Sequence, residues 1–153
     1  MIKINCIGYP RIGPKRELKN ALEKYWKSEI SENELLKCAS ELKKNNWQTQ
    51  KDNGVDSICS NDFSFYDQVL DTICLVGSIP ERYKYKDDKV SFKTYFAMAR
   101  GSQTKDLDVP ALEMTKWFDT NYHYLVPEFS KNQKFKLSSN KPFEEFDEAK
   151  KLG

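Results

Sequence analysis

Three cations crowd the predicted start of the first helix, where acidic side chains are the usual choice. They are Lys15, Arg16 and Lys19. Glu17 is the only acidic residue among them. Backbone N–H groups at a helix start attract anions, and nearby cations strengthen that attraction. Arg16 and Lys19 are three residues apart, so on a helix they lie side by side, mostly off the buried face. The pattern indicates a site for a polyanionic ligand, and a solvated basic helix start is the alternative that the residues leave open.

An amphipathic helix must position these cations. Pro14 suits its first position, because the N–H that proline lacks would be unpaired there. Over residues 15–27, apolar side chains recur at spacings of three and four, which predicts one buried face. Those side chains are Leu18, Ala21, Leu22, Tyr25 and Trp26. A short apolar strand at residues 3–7 precedes the helix, and a turn containing glycine and proline links the two.

Helices and strands alternate along the rest of the chain. Ser31 and Glu34 form a capping box that begins a second helix, which runs to about Asn53 with Gly54 as its C-terminal cap. The further predicted elements are a strand at 55–60, a helix at 65–76, a loop at 83–93, a helix at 94–100, a third strand within 112–118, a brief pairing of 135–137 with part of 122–127, and a last helix capped by Asn140 with Phe143, Phe146 and Ala149 facing inward. This alternation predicts an α/β fold with βα units and a parallel sheet.

Composition excludes several function classes. The chain has 153 residues and a net charge of +2, so nothing favours nucleic acid or a membrane surface as a partner. No stretch approaches 18 uncharged apolar residues, and Lys3 and Asn5 interrupt the early apolar run, so we expect neither a membrane span nor a signal peptide. The cysteines match no zinc-finger spacing, which predicts free thiols in a reducing compartment, the cytoplasm. They are Cys6, Cys38, Cys59 and Cys74.

Six blocks of sequence, in order along the chain, closely resemble cobalamin-independent methionine synthase. They are GYPRIG at 8–13, RELK at 16–19, SNDFS at 60–64, IPER at 79–82, YFAMARG at 95–101 and EMTKWFDTNYHY at 113–124. Members of that family consist of two (β/α)8 barrels in one long chain. The resemblance therefore implies that residues 1–153 are the N-terminal portion of the first barrel, a partial TIM barrel of about three βα units with extra helices. It also implies that the C-terminal catalytic zinc barrel of the family lies outside these residues.

A piece of a barrel has an open edge strand and an uncovered apolar face. We therefore expect this chain to associate with itself, for instance as a swapped dimer, or to be only marginally stable. The predicted strands are too few for a closed barrel, which typically needs eight strands and about 250 residues.

The resemblance also implies a substrate site. In the family, the RELK motif binds 5-methyltetrahydropteroyltriglutamate, and the lysine of the EMTKW block contacts the same folate. The residues in the matching positions are Arg16, Glu17, Leu18, Lys19 and Lys116. Arginine grips a carboxylate through two hydrogen bonds, which suits a triglutamate tail. A structural ion pair of Lys116 with Glu113 or Asp119 is the alternative role.

The family transfers a methyl group from the folate to homocysteine, with a zinc ion that binds the homocysteine sulfur. The resemblance places the zinc and homocysteine ligands in the missing C-terminal barrel, so we expect no metal, no catalytic residue and no turnover in this chain alone. His123, the single histidine, is expected to be structural, and Trp117 to pack rather than to stack on a pterin. Asp62 and Asp119 either line the pocket or cap turns. A non-catalytic anion- or folate-binding module and an inert structural fragment are the alternative functions.

Overall fold

Helices account for most of the regular secondary structure, and the strands are short. The computed structural model describes residues 2–86 and 88–153. In chain order, the elements are β1 (Asn5–Cys6), α1 (Glu17–Trp26), α2 (Glu32–Asp52), β2 (Ser57–Ile58), α3 (Gln68–Leu75), a 3₁₀ turn (Glu81–Tyr83), α4 (Phe92–Arg100), β3 (Ser102–Gln103), β4 (Asp108–Val109), β5 (Met114–Lys116), β6 (His123–Leu125) and α5 (Lys141–Lys150). The predicted α/β class is confirmed. Within the described ranges, the strands form three separate two-stranded sheets, and no barrel closes.

The chain divides into two units. The first unit comprises Met1–Phe65 and Pro142–Gly153, and the second comprises Tyr66–Lys141. In the first unit, β1 pairs in parallel with β2, with Asn5 opposite Ser57. Helices α1 and α2 connect these two strands and pack on each other. The first predicted crossover between parallel strands is therefore confirmed.

Local sequence chemistry sets the bounds of α2. The hydroxyl of Ser31 accepts a hydrogen bond from the Glu34 amide at 3.3 Å, and the Glu34 carboxylate accepts the Ser31 amide at 2.7 Å. This reciprocal pair is the predicted capping box. At the other end, Gly54 has a φ of +77°, a backbone conformation that glycine adopts without strain. Both predicted ends of this helix are confirmed.

The second unit contains two antiparallel pairs of strands. β3 pairs with β4, and β5 pairs with β6. The prediction of a third parallel strand within 112–118 was wrong in its direction of pairing. Only the short turn at 117–122 separates β5 from β6, and parallel neighbours need a crossover of a dozen or more residues.

The predicted pairing of residues 135–137 with part of 122–127 was also wrong, since β6 pairs with β5 instead. Residues 136–138 lie at the end of α3. The Lys136 amide donates to the Val76 carbonyl at 3.1 Å, and the Ser138 amide donates to the Leu75 carbonyl at 2.9 Å. These bonds satisfy carbonyls that a helix end leaves without partners in the helix.

Helix α5 does not bury the aromatic face that its sequence suggested. The side chains of Phe143 and Phe146 are 61% and 55% exposed, so the prediction that they face inward was wrong. Glu145 is the buried residue of this helix, at 5% exposure. Its carboxylate and that of Glu148 contact the Lys43 ammonium on α2. An ionic contact, rather than an aromatic one, therefore sets the rotation of α5.

Candidate functional site

The loops that follow β1 and β2 meet at one edge of the parallel pair. The Tyr9 amide, in the loop after β1, donates to Oδ2 of Asp62 at 2.8 Å, in the loop after β2. Gly8 lies against the same carboxylate, since a Cβ at this position would be 3.4 Å from the Asp62 oxygen. Carboxyl ends of parallel strands are where α/β folds place binding loops. Asp62 therefore joins the two loops that follow these strands.

The entry into α1 differs from the predicted one. The helix begins at Glu17, and Pro14 lies in the preceding turn rather than at the first helical position. Arg16 is the N-cap residue, with φ 63° and ψ 33°, and its amide donates to the Gly13 carbonyl at 3.0 Å. This left-handed backbone costs a non-glycine residue about 1–3 kcal/mol. The surrounding loop must therefore hold Arg16 in place.

The residues next to Arg16 supply that support. Oε2 of Glu17 accepts the Lys15 amide at 2.9 Å, so its carboxylate folds back over the loop. Gly13 has a φ of +85°, a backbone conformation that glycine adopts without strain, and a Cβ there would lie 2.2 Å from this oxygen, which would then have to move. The Leu18 amide donates to the Ile12 carbonyl at 3.1 Å, and the Leu18 side chain is fully buried. Glu17 and Leu18 therefore shape the loop, and Leu18 faces the core as predicted.

The cations themselves point to solvent. Lys15, Arg16 and Lys19 are all exposed. Lys19 Nζ lies 3.6 Å from Glu23 Oε1, and both side chains are about half exposed, so this pair is weak. Within the described part of the first unit, no carboxylate lies within ion-pair distance of Arg16 or Lys15. Two positive charges at the helix start are therefore available to an anion.

Lys116 belongs to the second unit, on the hairpin of β5 and β6. It lies opposite His123 in the register of the two strands, and its side chain is exposed. The alternative ion pair with Glu113 or Asp119 does not form: in the described part of this unit, no carboxylate lies within 4.0 Å of its ammonium. His123 Nδ1 lies 3.0 Å from the Asn121 carbonyl oxygen, which matches the expected hydrogen-bonded histidine.

An exposed aromatic cluster follows Lys116. Trp117 is 43% exposed and makes edge contacts with Phe118 and Tyr124, at ring distances of 5.4 and 5.5 Å. Phe118 is 81% exposed, with a left-handed φ of 51°. Trp117 thus packs on its neighbours, but at the surface rather than in the core. The exposure of Phe118 could not be predicted, because its position after Lys116 gives no indication of an outward turn with a left-handed backbone.

The described residues do not fit a zinc site. Across them, no group of three or more His, Cys, Asp or Glu side chains comes together. Burial raises the pKa of the thiols of Cys59 and Cys74, and nearby carboxylates add to the effect. Zinc binds the thiolate, the form that such a shift disfavours.

None of the described helices is long and apolar enough to cross a bilayer.

Comparison with known proteins gives a match to one family over almost the whole chain. The family model described as "Cobalamin-independent synthase, N-terminal domain" matches residues 3–153. The 5-methyltetrahydropteroyltriglutamate–homocysteine methyltransferase of Flavobacterium johnsoniae is 58% identical over 153 residues, which is 99% of this chain and 20% of the relative. The protein of the same name in Salinibacter ruber is 54% identical over 100% of this chain. The 5-methyltetrahydropteroyltriglutamate–homocysteine methyltransferase 1 of Oryza sativa is 53% identical over 97% of this chain. The chain spans about a fifth of the length of these relatives.

Proposed function

The chain belongs to the cobalamin-independent synthase family, and from that premise we propose that it contributes part of a folate-polyglutamate site. The site would serve methyl transfer from 5-methyltetrahydropteroyltriglutamate to homocysteine, the reaction in the names of its relatives. One observation supports this above the others: Arg16 is exposed and held in a left-handed conformation at a helix start, with Lys15 and Lys19 exposed beside it. A triglutamate tail is a polyanion of the kind such an arrangement attracts.

Each site residue has a proposed part in binding. Arg16 takes a carboxylate of the tail through two parallel hydrogen bonds, and Lys19 supplies a second charge. Glu17 and Leu18 hold the loop in shape, because the Leu18 side chain and its amide are already engaged in the fold. Lys116 supplies a cation from the hairpin of the second unit.

The proposed place of this chain in a larger enzyme follows from the family. Residues 1–153 would form the N-terminal portion of a first (β/α)8 barrel, with β1 and β2 as two of its neighbouring strands. The zinc ion and homocysteine would bind to a C-terminal barrel outside this chain, as the family resemblance implies. The chain therefore has no catalytic residue in this proposal and does not turn over alone. The proposed compartment is the cytoplasm.

Affinity for folates of different tail length tests the proposed site. Titration calorimetry of the chain with 5-methyltetrahydropteroyl mono- and triglutamate is expected to give tighter binding of the triglutamate. A single hydrogen bond to a charged group contributes about 1.5–3 kcal/mol, which corresponds to a factor of roughly 10 or more in Kd. Equal affinities would defeat the tail-binding role, and no binding of either folate would favour an inert structural fragment.

Reconstitution separates an enzyme part from a non-catalytic binding module. The chain would be mixed with the Flavobacterium johnsoniae relative lacking the matching fifth of its length, with homocysteine, zinc and the triglutamate present. Methionine formation above that of either component alone would support the enzyme part. A truncated partner that binds homocysteine but gives no methionine in the mixture would support the binding module.

We also propose that the chain associates with itself. Ile2 and Ile7 are 93% and 98% exposed, and Ile4 is 55% exposed, around the short strand β1. Among the described residues, β1 pairs with β2 alone, so its other edge is open to a second chain. Sedimentation velocity is expected to show a dimer or larger species at micromolar concentration, reduced by Ile7→Ser. A single monomeric species would contradict this proposal.

A further inference from the structure

Asp67 is a buried carboxylate that holds two different elements of the second unit. Asp67 is only 2% exposed. Oδ1 accepts the amides of Val69 and Leu70 at 2.7 and 3.0 Å, and thereby caps α3. Oδ2 accepts the amide of Leu125 in β6 at 3.2 Å. A helix cap needs only the first oxygen, so the second bond calls for a separate explanation.

The bond from Leu125 to Asp67 holds the edge of β6 that faces away from β5. Leu125 lies opposite Met114 in β5, and Lys116 is two residues further along the same strand. In an antiparallel pair, the amides of one strand point alternately toward and away from its partner. The Val126 amide donates to Glu113 across the pair at 2.8 Å, and the Leu125 amide points away, to Asp67. Asp67 is thus the tether between α3 and the strands that carry Lys116.

The helix at the other end of the tether is itself held firmly. The Tyr95 hydroxyl donates to Oδ1 of Asp71 on α3 at 2.7 Å and accepts the Tyr66 amide at 3.1 Å. Lys141 Nζ lies 3.4 Å from the other oxygen of Asp71. Helix α3 is therefore linked to α4 and to the residue before Asp67. A tether to a fixed helix restricts the hairpin, whereas a tether to a mobile loop would not.

We propose that Asp67 is a positioning residue for Lys116: through its bond to Leu125 it sets the place of the hairpin from which Lys116 meets the folate. This inference rests on the proposed function, in which Lys116 is a folate contact. A residue that only capped α3 would influence stability but not the energetic contribution of Lys116. The two roles therefore differ in whether the effects of changing Asp67 and Lys116 are coupled.

The test separates the cap from the tether. Serine caps helices well, so Asp67→Ser is expected to keep the amides of Val69 and Leu70 protected from hydrogen exchange while Leu125 loses protection. The Kd for 5-methyltetrahydropteroyltriglutamate is expected to rise by roughly tenfold, as in Lys116→Ala, and the double variant is expected to be no weaker than either single variant. Asp106→Ser, which removes an exposed acid of the second unit outside this hairpin, controls for the change in charge and is expected to leave the Kd unchanged.

The outcomes distinguish the inference from the function beneath it. If Lys116→Ala weakens binding but Asp67→Ser does not, or if their effects simply add, the positioning role is overturned and the proposed function stands. If the chain binds the folate but Lys116→Ala has no effect, the part of Lys116 and the positioning role fail together, whereas the tail-binding role of Arg16 and Lys19 stands; if the chain does not bind the folate at all, the proposed function fails as well. Should Asp67→Ser not fold, Asp67→Asn takes its place. Its amide nitrogen keeps the shape but cannot accept the Leu125 N–H, and the same coupling with Lys116→Ala is expected.

Discussion

Replacing Lys43 with methionine is expected to lower the free energy of unfolding by about 3–5 kcal/mol. The Lys43 side chain is 13% exposed, and its ammonium contacts the carboxylates of Glu145 and Glu148. The Glu145 side chain is only 6% exposed, and Ser40 donates to Glu148 at 2.6 Å. The substitution removes the cation that offsets burial of these carboxylates. Since this contact sets the rotation of α5, its loss is expected to loosen that helix from α2.

Urea denaturation followed by circular dichroism measures this effect. Lys44→Met is the matched control, because Lys44 is the exposed neighbour on the same helix, and a change within about 0.5 kcal/mol is expected there. Adding Glu145→Met to Lys43→Met is expected to restore part of the loss, since replacing both buried partners by apolar groups is often neutral. Similar losses for Lys43→Met and Lys44→Met would show that the buried contact contributes nothing particular.

The second large effect is expected at Leu18. Its side chain is fully buried in the first unit, so Leu18→Ala removes core packing worth about 2–5 kcal/mol. Leu18→Met conserves the volume and is expected to cost less than about 1.5 kcal/mol. We expect the methionine variant to bind the folate triglutamate like the original chain, because in the proposed site Leu18 anchors the helix and its side chain makes no contact with the ligand.

Stability and affinity measured on the same two variants check this role. Denaturation gives the first quantity and titration calorimetry the second. A methionine variant that keeps its stability but loses triglutamate affinity would show that Leu18 contacts the ligand itself. The family resemblance gave all four residues of the RELK block a binding role, and this pair of measurements separates the anchor from the cations.

Features that depend on a few neighbouring residues could be predicted from the sequence. The capping box of Ser31 and Glu34 and the role of Gly54 are determined by backbone chemistry within one helical turn. The buried face of α1 followed from the spacing of its apolar residues, as Leu18 and Leu22 show. The parallel pairing of β1 and β2 followed from the length of the helical connection between them.

Features that depend on what packs against a segment could not be predicted from the sequence. The apolar spacing in α5 favoured Phe143 and Phe146 as buried, but the contact with Lys43 turned Glu145 inward instead. The apolar residues at 112–118 favoured a strand without indicating its partner. The left-handed backbone of Arg16 could not be predicted either, because it depends on two hydrogen bonds of the loop. The carbonyls of Gly13 and Ile12 accept the amides of Arg16 and Leu18.

The proposed site could be predicted only in part. Charge and spacing indicated an anion site at the start of α1, and the family resemblance added Lys116 from a distant block of sequence. The role of Asp67 could not be predicted, because nothing near it in the sequence shows that Leu125 donates to its second oxygen. Tertiary hydrogen bonds of this kind join residues far apart along the chain, and local patterns do not reveal them.

The most direct test of the account compares the mono- and triglutamate affinities of two double variants. Arg16→Ala with Lys19→Ala removes the exposed cations at the start of α1, whereas Lys24→Ala with Lys27→Ala removes two exposed cations near its end. Both lose the same net charge. The account predicts that the preference for triglutamate falls to about one in the first variant and persists in the second. A preference that survives the loss of Arg16 and Lys19 would contradict the claim that the start of α1 holds the folate tail.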